Sequence, residues 1–264
     1  MTVPHGDITS SDGTRIAVWR SGAGPALILV HGTTADHGRW ARVSEGFAGR
    51  LAVYAMDRRG RGGSGDSESY SIEQEGEDVR AVARSISGPA SLLGHSYGAL
   101  CCLEAAPRIA NLHKLILYEP PLPVGVEIVP PAVRETLDRL LEDGDREAAV
   151  LTFFREVVRL PEAQLELLRG HQTWPSRIAA AHTVVREVRL EATYRPDLER
   201  LGTMDAQTLL LLGGDSPAYF REAIHRLKAA IPNSRILEMP GQQHVAMDTI
   251  PDEFVAMVSS FLLS

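Results

Sequence analysis

The stretch LLGHSYGALCC, residues 92–102, sets a serine at the tip of an apolar run, with a glycine two positions away on either side. Leu92 and Leu93 continue a strand-like segment, and Ala99 to Cys102 open a helical one. A non-glycine residue forced into so abrupt a turn is strained, and it needs neighbours two before and two after that lack a bulky side chain. Gly94-His95-Ser96-Tyr97-Gly98 meets that need and fits G-x-S-x-G in its strand–turn–helix context. The alternative is an ordinary β-to-α connection. The rest of the chain decides between them by supplying, or failing to supply, a base, an acid and donors for an oxyanion.

Outward from the elbow, short apolar runs at 15–20, 26–30, 52–56, 91–93, 114–118, 208–212 and 235–239 read as strands. Helical patterns at 37–48, 71–85, 98–108, 217–230 and 251–262 lie between most of them. That alternation predicts an α/β fold with a mostly parallel, doubly wound sheet. SSDGT after Ile8 reads as a hairpin turn, so the first two strands are expected to be antiparallel. The alternation stops once, between Glu119 and Met204, where proline-punctuated helical patterns replace strands. Val150, Phe153, Phe154, Val157 and Val158 carry α-helical spacing there, as do Ala181, Val184, Val185 and Val188. The reading is a core of residues 1–120 and 205–264, with residues 121–204 as a helical cap over the carboxyl ends of the strands.

Composition excludes several functions. With 264 residues and 44% apolar content, the chain has enough material for one large domain. A net charge of −7 without long runs argues against a nucleic-acid surface or a basic membrane anchor. Cys101 and Cys102 are neighbours in an apolar segment and read as reduced, buried thiols. The first residues carry no signal-like segment, and no apolar run reaches the roughly 20 residues of a membrane span. A cytoplasmic protein with a small-molecule substrate is expected; a homodimer stays open. No cofactor is expected, because no Gly-Lys-Ser/Thr follows RGRGGSG, and no metal, because His171 and His182 lack ligand spacing.

A serine hydroxyl needs a base to take its proton, and the base needs a carboxylate to orient it. His244 sits in the loop after the last strand, and Asp215 ends the strand TLLLLGG, giving the chain order Ser96, Asp215, His244. Glu119 is the rival acid, since LILYEPP also ends a strand; the Gly213-Gly214-Asp215 turn favours Asp215. Glu119 is then expected to face the pocket floor or to fix a loop. The backbone N–H groups of Thr33 and Tyr97 are the candidate oxyanion donors. His31 reads as structural, and Thr34 as a cap for the helix that follows. In the inserted segment, Trp174, Arg177 and Arg186 are candidates for contacting substrate.

Taken together, His31-Gly32, DRRGRGGSGDS from Asp57, the elbow, Asp215 and His244 resemble the α/β-hydrolase superfamily, over nearly the whole chain. The resemblance implies the α/β-hydrolase fold. It also implies Ser96 as nucleophile, His244 as base, Asp215 as acid and a loop-stabilising role for Asp57. Ser96 stands where epoxide hydrolases and haloalkane dehalogenases carry aspartate. Val245 stands where C–C hydrolases of aromatic-ring cleavage carry tryptophan. What remains is hydrolysis of an ester, lactone or thioester through an acyl-enzyme. A lyase, cyclase or C–C hydrolase on the same scaffold, or a binding module that keeps the triad, are the alternatives.

Overall fold

A computed structural model describes residues 3–125 and 128–264. Eight strands form one sheet: β1 (Val3–Thr9), β2 (Arg15–Ser21), β3 (Ala26–Val30), β4 (Ala52–Met56), β5 (Ala90–His95), β6 (Leu112–Tyr118), β7 (Gln207–Gly213) and β8 (Ser234–Met239). Their order is β1-β2-β4-β3-β5-β6-β7-β8. β1 pairs antiparallel with β2, and β2 with β4; every other pairing is parallel. The expected hairpin and doubly wound sheet are both present.

Side chains on successive strand residues point to opposite faces, and both faces are buried. Ile28, Val30, Leu92, Leu115 and Leu117 enter one core, which α2 (Ile72–Ser85), α3 (Tyr97–Ala105) and α10 (Ala218–Ala230) complete. Leu27, Leu29, Leu93 and Ile116 enter the other, against α1 (Ala41–Ala48) and α11 (Pro251–Leu262). Hence the strands read as continuous apolar runs rather than alternating ones.

Between β6 and β7 the described residues form helices joined by loops, with no strand among them. α4 (Pro131–Glu142) and α5 (Arg146–Thr152) lead into a π-helix at Phe153–Val158. Then come α6 (Glu162–Arg169), α7 (Trp174–Ala179), α8 (Val184–Thr193) and α9 (Leu198–Gly202). The expected α spacing through 150–158 is therefore corrected: the backbone widens to π geometry at Phe153. Residues 1 and 2 of the expected core range, and 126 and 127 of the inserted one, lie outside the described residues.

A buried ion network joins the inserted helices to the sheet. Glu187 on α8 accepts from Arg58 (2.7 Å) and from Arg61, and Arg58 also pairs with Glu75 on α2. Asp57 does what the sequence suggests: it accepts from the His37 backbone, the His37 ring, Trp19 Nε1 and the Gly63 amide, fixing the loop after β4. Among the described residues no helix is long and apolar enough to cross a membrane.

Candidate active site

Ser96 stands between β5 and α3 with φ 56° and ψ −126°, a conformation rare for a residue bearing a Cβ. The flanking glycines permit it. A Cβ on Gly94 would lie 2.6 Å from Ala99 Cα, and one on Gly98 would enter the carbonyls of Val30 and His31. The Ser96 amide donates to Tyr118 O (2.8 Å), tying the elbow to β6.

His244 lies in the loop after β8 and is buried. Its Nδ1–H donates to Glu119 Oε2 at 2.6 Å, and its ring stacks on Phe220 with 4.7 Å between centroids. Glu119 is wholly buried at the end of β6, with its other oxygen accepting the Gly213 amide at 2.7 Å. The carboxylate that meets His244 is thus Glu119 and not the Asp215 expected from sequence. Asp215 is exposed, two residues past the end of β7, and has its amide on Gln242 O. The Gly213-Gly214 turn serves a different purpose from presenting Asp215: Gly213 holds the carboxylate of Glu119 by its N–H. A Cβ on Gly213 would sit 2.6 Å from Gln242 O, which is why the position is glycine.

His95, beside the serine, donates from Nε2 to His244 O (2.8 Å) and so positions the histidine loop. Burial, with His244 and Arg39 near it, lowers its pKa well below the usual histidine value, so its ring is neutral. His31 is fully buried: its Nδ1–H donates to Gly32 O and its Nε2 accepts from the Arg58 amide. Burial holds it neutral too, and its part is structural, as read from sequence.

The amides of Thr33 and Tyr97 donate to no protein acceptor among the described residues. Tyr97 opens α3, where the helix dipole adds to its N–H. Thr34 does not cap the next helix; Asp36 does, through the Gly38 amide. Thr34 instead takes a left-handed φ of 62° and accepts from Arg177 Nη1 at 3.1 Å.

Ser96 and His244 line one inner chamber of about 30 Å³, together with Thr33, Phe153, Phe154 and Arg177. An outer cavity of about 350 Å³ shares Arg39, Leu160, Leu168, Arg177 and Val245 with it. Of the three residues expected to contact substrate, only Arg177 reaches these walls. Trp174 packs in the inserted helices and donates to Glu147 (3.0 Å). Arg186 pairs with Asp66 (2.9 Å) and covers the Tyr70 ring, docking α8 to the core. Arg39 and the paired Phe153-Phe154 were not singled out from sequence; an apolar stripe does not say which of its members face a cavity.

The profile of the alpha/beta hydrolase family matches residues 27–257. Among solved structures, an alpha/beta hydrolase from Sphaerobacter thermophilus is 36% identical, with a TM-score of 0.81 over 95% of this chain and 99% of that one. An esterase from Rhodococcus is 25% identical, with a TM-score of 0.78 over 98% of each chain. N-formylmaleamate deformylase of Pseudomonas putida is 36% identical over 126 residues, 46% of this chain and 47% of that protein.

Proposed function

Because the chain belongs to the α/β-hydrolase family, we propose that it hydrolyses an ester, lactone or thioester of a small molecule through an acyl-enzyme on Ser96. One observation carries this reading: the histidine that shares a chamber with the strained serine has its far nitrogen held by a buried carboxylate. In this mechanism His244 Nε2 takes the Ser96 proton as Oγ attacks the carbonyl carbon. The carbonyl oxygen becomes an oxyanion received by the Thr33 and Tyr97 amides. Collapse breaks the bond to the leaving alcohol or thiol, which leaves with the proton from His244. Water then repeats the sequence on the acyl-enzyme, releasing the acid and free Ser96. Glu119 fixes the tautomer of His244 and stabilises its protonated form. The inserted helices act as a lid, since Phe153, Phe154 and Arg177 close the chamber from above the sheet. Two buried free thiols, Cys101 and Cys102, go with a cytoplasmic setting.

A second reading, hydrolysis of a formyl or other small acyl amide, is favoured by the size of the inner chamber. At about 30 Å³ it is much narrower than the outer cavity of about 350 Å³, so it suits a small acyl group.

Ser96→Ala tests the shared mechanism. The variant is expected to keep its fold by circular dichroism, to lose fluorophosphonate labelling, and to hydrolyse p-nitrophenyl acetate at less than about a thousandth of the wild-type rate. An acyl adduct on the alanine variant by intact mass spectrometry would remove Ser96 from the mechanism.

A further inference from the structure

Arg177 is a buried cation that makes no ion pair among the described residues, with Asp248 and Asp36 acting on it only at a distance. It is 4% exposed, its side chain's one hydrogen bond among the described residues goes to Thr34 Oγ1, and its Nε has no partner. It enters no ion pair among the described residues, and Asp248, the acidic wall residue, is already bound by Arg39 at 2.8 Å. Burial first, and then Arg39 beside it, push the Arg177 pKa down to about 9, which still leaves it charged at neutral pH. A desolvated guanidinium with so few partners costs stability.

Its position says where an anion would come from. Arg177 lines the inner chamber with Ser96 and His244, and also the outer cavity. Its guanidinium carbon lies 5.5 Å from the Phe154 ring centre, so an apolar wall stands beside the charge. Thr34, its anchor, follows directly on Thr33, whose amide is the oxyanion donor of the mechanism above. The outer cavity adds Arg42, and with the shared Arg39 it sets these cations against the single carboxylate of Asp248. The mouth is thus cationic in a chain of net charge −7, which favours entry of anionic ligands.

We propose that the substrate carries a carboxylate separate from its scissile acyl group, and that Arg177 binds it, making half-esters and other monoacyl derivatives of dicarboxylic acids the substrate class. This rests on the hydrolase reading. A carboxylate suits the site because a guanidinium fork donates two parallel N–H bonds to its two oxygens. The lid thereby contributes the specificity, while the sheet contributes the chemistry. Pairing with the bound anion also offsets the cost of burying Arg177, so substrate binding and lid closure favour each other.

The test compares monomethyl glutarate with methyl pentanoate, an ester of the same chain length without the charge. Wild-type kcat/KM is expected to favour the charged ester by about 100-fold, the scale of one desolvated charge pair. Arg177→Met should bring the ratio near one and raise the KM of the charged ester, with Arg177→Lys intermediate. Calorimetric binding of glutarate should weaken at least about tenfold in Arg177→Met. Because that variant removes a poorly paired buried charge, its Tm should hold or rise, so weaker binding would not reflect unfolding. A wild-type enzyme indifferent to the charge, or an Arg177→Met enzyme that keeps the preference, overturns the proposal. Fluorophosphonate labelling of the same wild-type preparation separates the two ideas. Labelled protein with no charge preference sinks the carboxylate site alone. Arg177-dependent glutarate binding in protein that does not label supports the site and sinks the hydrolase.

Discussion

Glu119 takes its backbone into the left-handed region, at φ 46°, and spends both carboxylate oxygens, one on Gly213 N–H and one on His244. For a side-chain-bearing residue that conformation costs on the order of 1–3 kcal/mol, and it persists where surrounding bonds over-determine it. Glu119→Gln leaves an amide that can turn its NH₂ toward Gly213 or toward His244, so one partner or the other is lost. By analogy with the loss of about 10⁴ in kcat when a triad aspartate becomes asparagine, Glu119→Gln should fall steeply in kcat on p-nitrophenyl acetate. Asp215→Asn should stay within about twofold, as expected of an exposed side chain away from special features. A collapse of activity in the Asp215 variant alone would return the acid to β7. That Ser96 and His244 share a chamber was legible because their signals are local: a glycine pair around one, a short loop after the last strand for the other. The carboxylate on His244 was not, because Glu119 and Asp215 both end strands. Only the pairing of β6 with β7, and the placing of the Glu119 amide on Leu211 O, decides which carboxylate meets the histidine loop.

At the level of elements, the strands read from sequence match the sheet to within a few residues, since continuous apolar runs bounded by turns are what two-sided burial demands. The inserted segment was legible as helical but not in its facing. Phe153 and Val158 are five residues apart, and in the π-helix Phe153–Val158 that spacing puts both on the chamber wall. An α-helical reading of 150–158 orders the same side chains differently. π geometry is uncommon and recurs at functional sites, and here it sets the width of the space above Ser96. Truncating its wall should therefore change which acyl groups fit. Wild-type kcat/KM is expected to drop at least about tenfold from p-nitrophenyl acetate to the hexanoate, because each added methylene must displace packed side chains. Phe154→Ala should flatten or invert that series. An unchanged chain-length profile in Phe154→Ala would mean that the acyl group lies elsewhere.

Across the whole molecule, the inserted helices and the sheet are held together by charge buried from water. Arg58 and Arg61 leave the loop after β4, Glu75 belongs to α2 and Glu187 to α8, and the Glu187 and Glu75 side chains are wholly buried. The Arg58 guanidinium carbon lies 4.4 Å from the ring centre of Tyr97, the residue that follows Ser96, so the network also supports the elbow. Removing one member of such a cluster strands the others, at a cost of about 3–5 kcal/mol. Glu187→Gln should lose stability on that scale in urea at pH 7. Arg186→Ala, which breaks the more exposed pair with Asp66, should lose under about 1 kcal/mol. The pH dependence has a definite sign. Burial alone would raise Glu187, but Arg58 and Arg61 outweigh it and hold its pKa below the ordinary 4.5. Its charge therefore stabilises the folded chain above that value, and the contribution fades as pH falls through the lowered one. Glu191 opposes this in part, because burial and the Glu187 charge hold it protonated well above the usual carboxylate range. Neutralising Glu187 relieves Glu191, so the Gln variant gains a little back at neutral pH. The stability gap between wild type and Glu187→Gln is thus expected to be wide at pH 7 and to narrow steadily below pH 4.5. Urea titrations at several pH values read it directly. A gap that is absent at pH 7, or that widens on acidification, would mean that the inserted helices are held by their apolar contacts and not by this cluster.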